Sequence, residues 1–192
     1  MLCGGESRRM GRDKATLLLD GVPLARRVAD ALVAAGATSI RAIGGDATGL
    51  AACGLSVEPD RRPGEGPLGA VVAALRDGDP SIDVVVVLAC DLWNIGPGEV
   101  QALVRALARR DDAAAAAPPS DDGRPQLLTA AYRRGVADRL EAAFDRGERA
   151  VRRAFDGAIW VPVGGLDPGR IVDADEPWQL PGGDPTVAGP PR

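Results

Sequence analysis

Lys14 is the single lysine among 23 basic side chains; the others are arginines. It closes a Gly-rich stretch, Gly4-Gly5-Glu6-Ser7-Arg8-Arg9-Met10-Gly11-Arg12-Asp13-Lys14. An ammonium is a compact point charge with rotatable donors, whereas a guanidinium is a planar fork. A tight loop that must reach between phosphate oxygens can require the first and reject the second. Successive backbone N–H groups of a Gly-rich turn form an anion nest, and Gly4 and Gly5 let backbone approach phosphate closely. Arg9 and Lys14 would neutralise such a ligand. Within residues 6–14 the cations Arg8, Arg9, Arg12 and Lys14 outnumber Glu6 and Asp13, although the whole chain has a net charge of −4. A lone lysine is ordinarily a solvated loop residue. The company of Lys14 makes it, with Arg9, a candidate for catalysis on an anionic ligand. The loop is neither a Walker A motif, because no Gly directly precedes Lys14, nor GxGxxG.

Three acidic positions are the remaining candidates. Asp91 directly follows an apolar run in Ala89-Cys90-Asp91. That places it at the carboxyl end of a parallel sheet, where ligands bind in such folds. It suits Mg²⁺, which takes one or two carboxylates plus substrate phosphates; the plainer role is a helix N-cap. Asp60 lies in the rigid loop Glu58-Pro59-Asp60-Arg61-Arg62-Pro63-Gly64-Glu65-Gly66-Pro67-Leu68. It could hydrogen-bond a base or ribose, or simply form a turn. Asp173 and Asp175, in Asp173-Ala174-Asp175-Glu176-Pro177, could add a second metal ligand or form a solvated turn.

Composition removes several chemistries. Histidine is absent, so Ser-His-Asp and Cys-His catalysis are excluded and zinc is not expected. Cys3, Cys53 and Cys90 lack CxxC spacing and are expected to be free thiols in a reducing cytoplasm. Net charge −4 with 3 % aromatics argues against nucleic acid as a partner. No apolar run reaches the roughly 18 residues of a membrane span, and no secretory signal is expected.

The elements that must position these residues read as an α/β fold, apolar runs alternating with helical stretches. Helices are predicted over 22–35, 67–76, 98–109 and 135–144, and strands over 39–43, 55–58, 83–89, 127–132, 158–163 and 170–172. Residues 113–117 fit strand by length and flanks, although alanine favours helix. The run 83–89 (Asp-Val-Val-Val-Val-Leu-Ala) is apolar on both faces, as a central parallel strand should be. One domain over 1–180 and a disordered Pro/Gly-rich tail over 181–192 are expected. Only Met1-Leu2-Cys3 precede the loop, so most of the first strand is expected to be missing, leaving a hole in the middle of the sheet. A truncated reading frame is one expectation.

Leu2-Cys3-Gly4-Gly5-Glu6-Ser7-Arg8-Arg9-Met10-Gly11-Arg12-Asp13-Lys14 resembles the nucleotidyltransferase signature L-x-G-G-x-S-x-R-M-G-x-D-K. Within that superfamily the chain is most similar to the molybdenum cofactor guanylyltransferases. Gly66-Pro67-Leu68, Ala89-Cys90-Asp91, Gly123-Arg124-Pro125-Gln126 and residues 173–180 fall in register. The resemblance implies a Rossmann-like three-layer sandwich with a mostly parallel central sheet. It implies Mg²⁺-dependent transfer of GMP from GTP to molybdopterin with release of pyrophosphate, and other molybdenum cofactor biosynthesis proteins as partners. Family roles carry to Leu2, Cys3, Gly4 and Lys14 for the nucleotide's phosphates and base, to Asp60 for the nucleoside, and to Asp91 for the metal; Gly5 joins the nucleotide-binding set. The chain departs from the family's pattern in three places: Leu92-Trp93-Asn94 stands for Met-Pro-Phe, Asp173-Ala174-Asp175-Glu176-Pro177 for Asn-x-Asn-Thr-Pro, and Gly69-Ala70 reverses the end of G-P-L-A-G. A sibling enzyme using CTP or a phosphosugar, and a non-catalytic nucleotide-binding paralogue, are the alternatives.

Overall fold

A computed structural model describes residues 1–4 and 14–172. Gly5, Arg9, the carboxylates at 173 and 175, and the 181–192 tail lie outside the described residues. The elements are strands β1 (Leu18–Leu19) and β2 (Val22–Pro23), helix α1 (Leu24–Ala34), β3 (Ala42–Ile43), α2 (Ala47–Ala52), β4 (Val57–Glu58), α3 (Pro67–Arg76), β5 (Val84–Leu88), α4 (Pro97–Ala108), β6 (Ala115–Ala117), β7 (Thr129–Arg133), α5 (Ala137–Asp145), α6 (Val151–Ala154) and β8 (Trp160–Pro162).

Period-two alternation sorts the sheet residues between two helical layers. Leu2, Ile43 and Val87, with Ala115, Ala117, Ala130 and Tyr132, pack on α3, α5 and α6. Met1, Cys3, Ala42 and Leu88 face α1, and Ala116 and Ala131 face α4. The result is the expected three-layer α/β/α sandwich. Its strands run β4-β3, then residues 1–3, then β5-β7-β6-β8. Leu2 bridges in parallel to Ile43 and to Ala89, and β3–β4 and β6–β8 are parallel. Among the described strands of this sheet only β7 runs the other way, pairing antiparallel with β5 and β6.

Several sequence expectations shift. Asp20-Gly21, with φ of 52° and 77°, closes a two-residue hairpin between β1 and β2, the left-handed pair that a primed turn demands. The hairpin takes Val22 and Pro23 out of the predicted helix, which starts at Leu24. Of the helix and strand readings left open for residues 113–117, strand is formed over Ala115–Ala117, because β7 and β8 flank it on both sides. The strand predicted over 170–172 is not formed: Pro168–Arg170 is a 3₁₀ turn whose entry is held by the Asp167 carboxylate accepting from the Gly169 N–H. The short helices α2 and α6 have too few residues for a 3.6-residue period to stand out.

Residues 1–3 replace part of a central strand. The Leu2 N–H donates to Leu88 O at 2.8 Å, Cys90 N–H to Leu2 O at 3.1 Å, and Ile43 N–H to Met1 O at 2.9 Å. A cavity of about 570 Å³ lies between β3 and β5, lined by Met1, Leu32, Ile43 and Val84 to Val86.

At the edge of this cavity the Met1 nitrogen donates to Arg41 O at 2.8 Å.

Candidate functional site

The carboxyl ends of the parallel strands carry the predicted site residues that are described. β5 runs through Ala89 and Cys90 to Asp91, whose side chain lies 3.7 Å from Lys14 Nζ. Both side chains are largely enclosed, at 16 % and 19 % exposure. Lys14 opens a 3₁₀ turn, Lys14–Thr16, seated by the fully buried Ala15. Asp91 is no helix N-cap: α4 begins at Pro97, and Glu99 accepts from the Gly96 N–H at 3.1 Å to close that helix end.

Leu2, Cys3 and Gly4 lead the chain out between Ile43 and Ala89. Cys3 and Gly4 N–H both donate to Ile43 O, at 2.9 and 3.1 Å. Leu2 and Cys3 are buried in opposite layers, so their side chains anchor the loop and only their backbone reaches the edge. Asp60, two residues beyond β4, reaches Gly4: a Cβ on Gly4 would lie 3.7 Å from Asp60 Oδ2. Its other oxygen accepts from the Arg62 N–H at 2.9 Å, so Asp60 forms a turn and faces the site at once. Gly4 thus has Asp60 and Gly44 beside it, while the Cys90 N–H to Leu2 O bond brings the strand end that carries Asp91 alongside residues 1–4.

Gly44 was not singled out by sequence. Its φ is +73°, and a Cβ there would meet Gly4 Cα at 3.0 Å and Gly4 N at 3.1 Å. Only glycine lets the ends of β3 and of residues 1–4 touch. The Gly44-Gly45 pair after a predicted strand was the available signal. Leu92-Trp93-Asn94 is firmly held despite its unusual sequence. Leu92 is buried beside Cys3 and Cys90, Trp93 packs on Leu19 and Leu24, and Asn94 Nδ2 donates to Gly169 O at 2.7 Å. Gly123-Arg124-Pro125-Gln126 occupies the β6–β7 connection, where Gln126 N–H donates to Pro118 O.

A lone ammonium, a carboxylate and a glycine-lined backbone edge on a doubly wound sheet can bind a polyphosphate and a divalent cation. With the α/β/α layering, this arrangement defines a nucleotidyltransferase-type enzyme. The chain belongs to the family of the MobA-like NTP transferase domain, which matches residues 1–159. It is 36 % identical over 162 residues to a molybdenum cofactor guanylyltransferase of Rhodobacter capsulatus, covering 84 % of this chain and 82 % of that one. It is 34 % identical over 178 residues to a probable molybdenum cofactor guanylyltransferase of Mycobacterium tuberculosis, covering 91 % and 83 %. Among solved structures it is similar to molybdopterin-guanine dinucleotide biosynthesis protein A from Archaeoglobus fulgidus, at TM-score 0.66 and 26 % identity, covering 84 % and 81 %. No helix among the described residues is long and apolar enough to cross a membrane.

Proposed function

We propose that this chain transfers GMP from GTP to a molybdopterin-type acceptor in the cytoplasm, releasing pyrophosphate. The domain responsible would span residues 1–180. The observation that supports this most is the Lys14–Asp91 pair and the Gly4–Asp60 approach at the carboxyl ends of neighbouring strands, on a chain with relatives of that name.

The terminal phosphate oxygen of the acceptor attacks the GTP α-phosphorus. A P–O bond forms there as the bond to the β-phosphate oxygen breaks, and the electron pair leaves with pyrophosphate. Such a transfer asks the protein for positioning and charge neutralisation rather than covalent chemistry. That suits a chain without histidine. Lys14, with Arg9, places positive charge against the phosphates as the leaving group develops charge. The N–H groups of Leu2, Cys3 and Gly4 are engaged in the sheet, so the Leu2, Cys3, Gly4 and Gly5 stretch serves as a close backbone wall for the phosphates and base edge, and Asp60 accepts from the nucleoside.

Mg²⁺ fits the donor set. Asp91 offers a hard oxygen donor, and the described residues contain no group of three or more His, Cys, Asp or Glu able to cage a metal alone. One carboxylate plus phosphate oxygens and water is an ordinary Mg²⁺ arrangement. Bound there, the ion would offset phosphate charge. In its absence the Lys14–Asp91 pair balances two enclosed charges. Asp173 and Asp175 would be available as further acidic groups.

The test is pyrophosphate release from a panel of GTP, ATP, CTP and UTP with molybdopterin as acceptor. GTP should be turned over at least about ten-fold better than the others, a discrimination of about 1.4 kcal/mol. Release from CTP alone would replace the guanylyl assignment with the cytidylyl one. No release from any nucleotide would leave a non-catalytic binding protein.

A further inference from the structure

We infer that Phe144, which belongs to none of the sequence motifs, is a positioning residue that sets Asp60 for the nucleoside; this rests on the nucleoside role of Asp60 proposed above. The connection between β4 and α3 contains no regular structure between Pro59 and Gly66. Two contacts on one ring hold it. The Arg62 guanidinium stacks on Phe144 at 4.1 Å from the ring centroid, and that of Arg149 stacks on the same ring at 4.0 Å. Arg149 in turn pairs with Glu65 at 2.6 Å, and its guanidinium donates to Phe144 O and Glu148 O, both at 2.9 Å. Arg62 also pairs with Glu141 at 3.7 Å. Both ends of the loop therefore converge on Phe144, one through Arg62 and the other through Glu65 and Arg149.

The link to Asp60 is direct. The Arg62 backbone N–H donates to Asp60 Oδ1 at 2.9 Å, while Asp60 Oδ2 faces Gly4. Fixing Arg62 fixes which carboxylate oxygen is engaged and which is presented. Phe144 is buried, yet core filling alone does not call for an aromatic. The chain has only 2 phenylalanines, and the other buried positions of α5 are Ala137, Leu140 and Ala143. What leucine lacks is the negatively polarised face that attracts two guanidiniums.

Gly69 supports this independently. It lies inside α3, where glycine is unfavourable. A Cβ there would come within 3.2 Å of Arg62 Cβ, Arg62 Cδ and Phe144 Cε2. Glycine at this helical position makes room for Arg62 to lie across α3 onto the ring. That accounts for the order Gly69-Ala70 in place of Ala-Gly.

The experiment is calorimetric binding of Mg²⁺ complexes of GTP, ATP, CTP and inorganic triphosphate, with steady-state kinetics, for wild type, Phe144→Leu, Phe144→Tyr and Arg62→Gln. Phe144→Leu and Arg62→Gln should each weaken GTP binding about ten-fold and narrow its margin over ATP and CTP. KM should rise with kcat within about two-fold, as loss of uniform binding requires. Inorganic triphosphate, which has no nucleoside, should bind as in wild type. Phe144→Tyr keeps the ring face and should restore GTP affinity. Should Phe144→Leu fail to fold, Arg62→Gln leaves the buried ring intact and decides alone. Wild-type GTP affinity and selectivity in the soluble variants would overturn the inference. So would equal loss of GTP and triphosphate, which is general damage. A wild type that prefers another nucleotide refutes the guanylyl reading only, and the same comparison then proceeds on that nucleotide. A wild type that binds none overturns both.

Discussion

Lys14→Arg is expected to lose roughly 2–4 kcal/mol of transition-state stabilisation, the scale of removing one preorganised donor, or about 30- to 1,000-fold in kcat/KM. The substitution keeps the charge and changes its shape. In the structure the ammonium sits 3.7 Å from Asp91 with only 16 % of its side chain exposed. A guanidinium is wider, planar and fixed in its donor directions, so it must either displace Asp91 or withdraw from the enclosure. The chain is otherwise arginine-only in its cations, so the expected loss rests on lysine being needed at this one position. Pyrophosphate release measures the effect. Turnover by the arginine variant within a few-fold of wild type would remove Lys14 from the catalytic set.

Asp91→Asn is expected to reduce turnover by at least about a hundred-fold and to raise the Mg²⁺ concentration needed for half-maximal rate. The melting temperature should stay within about 4 °C of wild type, on the order of 1–2 kcal/mol at this length. Asparagine keeps the size and one oxygen but loses the charge that a hard cation and the Lys14 ammonium both require. An N-cap role predicts the opposite pattern, retained activity with stability lowered by about 1 kcal/mol. The geometry already disfavours it, since α4 starts at Pro97 and its end is closed by Glu99. Normal activity in the asparagine variant would remove the metal assignment.

Local chemistry made a large part of this protein legible. Pro67–Arg76 has the predicted limits because Gly66 and Pro67 mark its start and its apolar period is unbroken. Asp91 could be placed at the ligand edge because an apolar run without polar interruption belongs inside a sheet, and its carboxyl end is where α/β folds bind ligands. Lys14 stood out because lysine is absent everywhere else in the chain, and the structure sets it beside Asp91. Contacts between distant segments were a different matter. β7 alternates like any strand, and nothing local told that it runs antiparallel; its pairing with β5 and β6 decides that. Gly44 looked like an ordinary strand end until Gly4 was found against it. Asp60 could be a turn former or a ligand, and only its two differently engaged oxygens show that it faces Gly4 while closing a turn. Phe144 carries no motif at all. A ring acquires meaning when Arg62 and Arg149, separated by nearly half of the domain in sequence, arrive at it together. Residue type and spacing report what a segment can do alone, whereas the distance between segments is set by how the whole core packs.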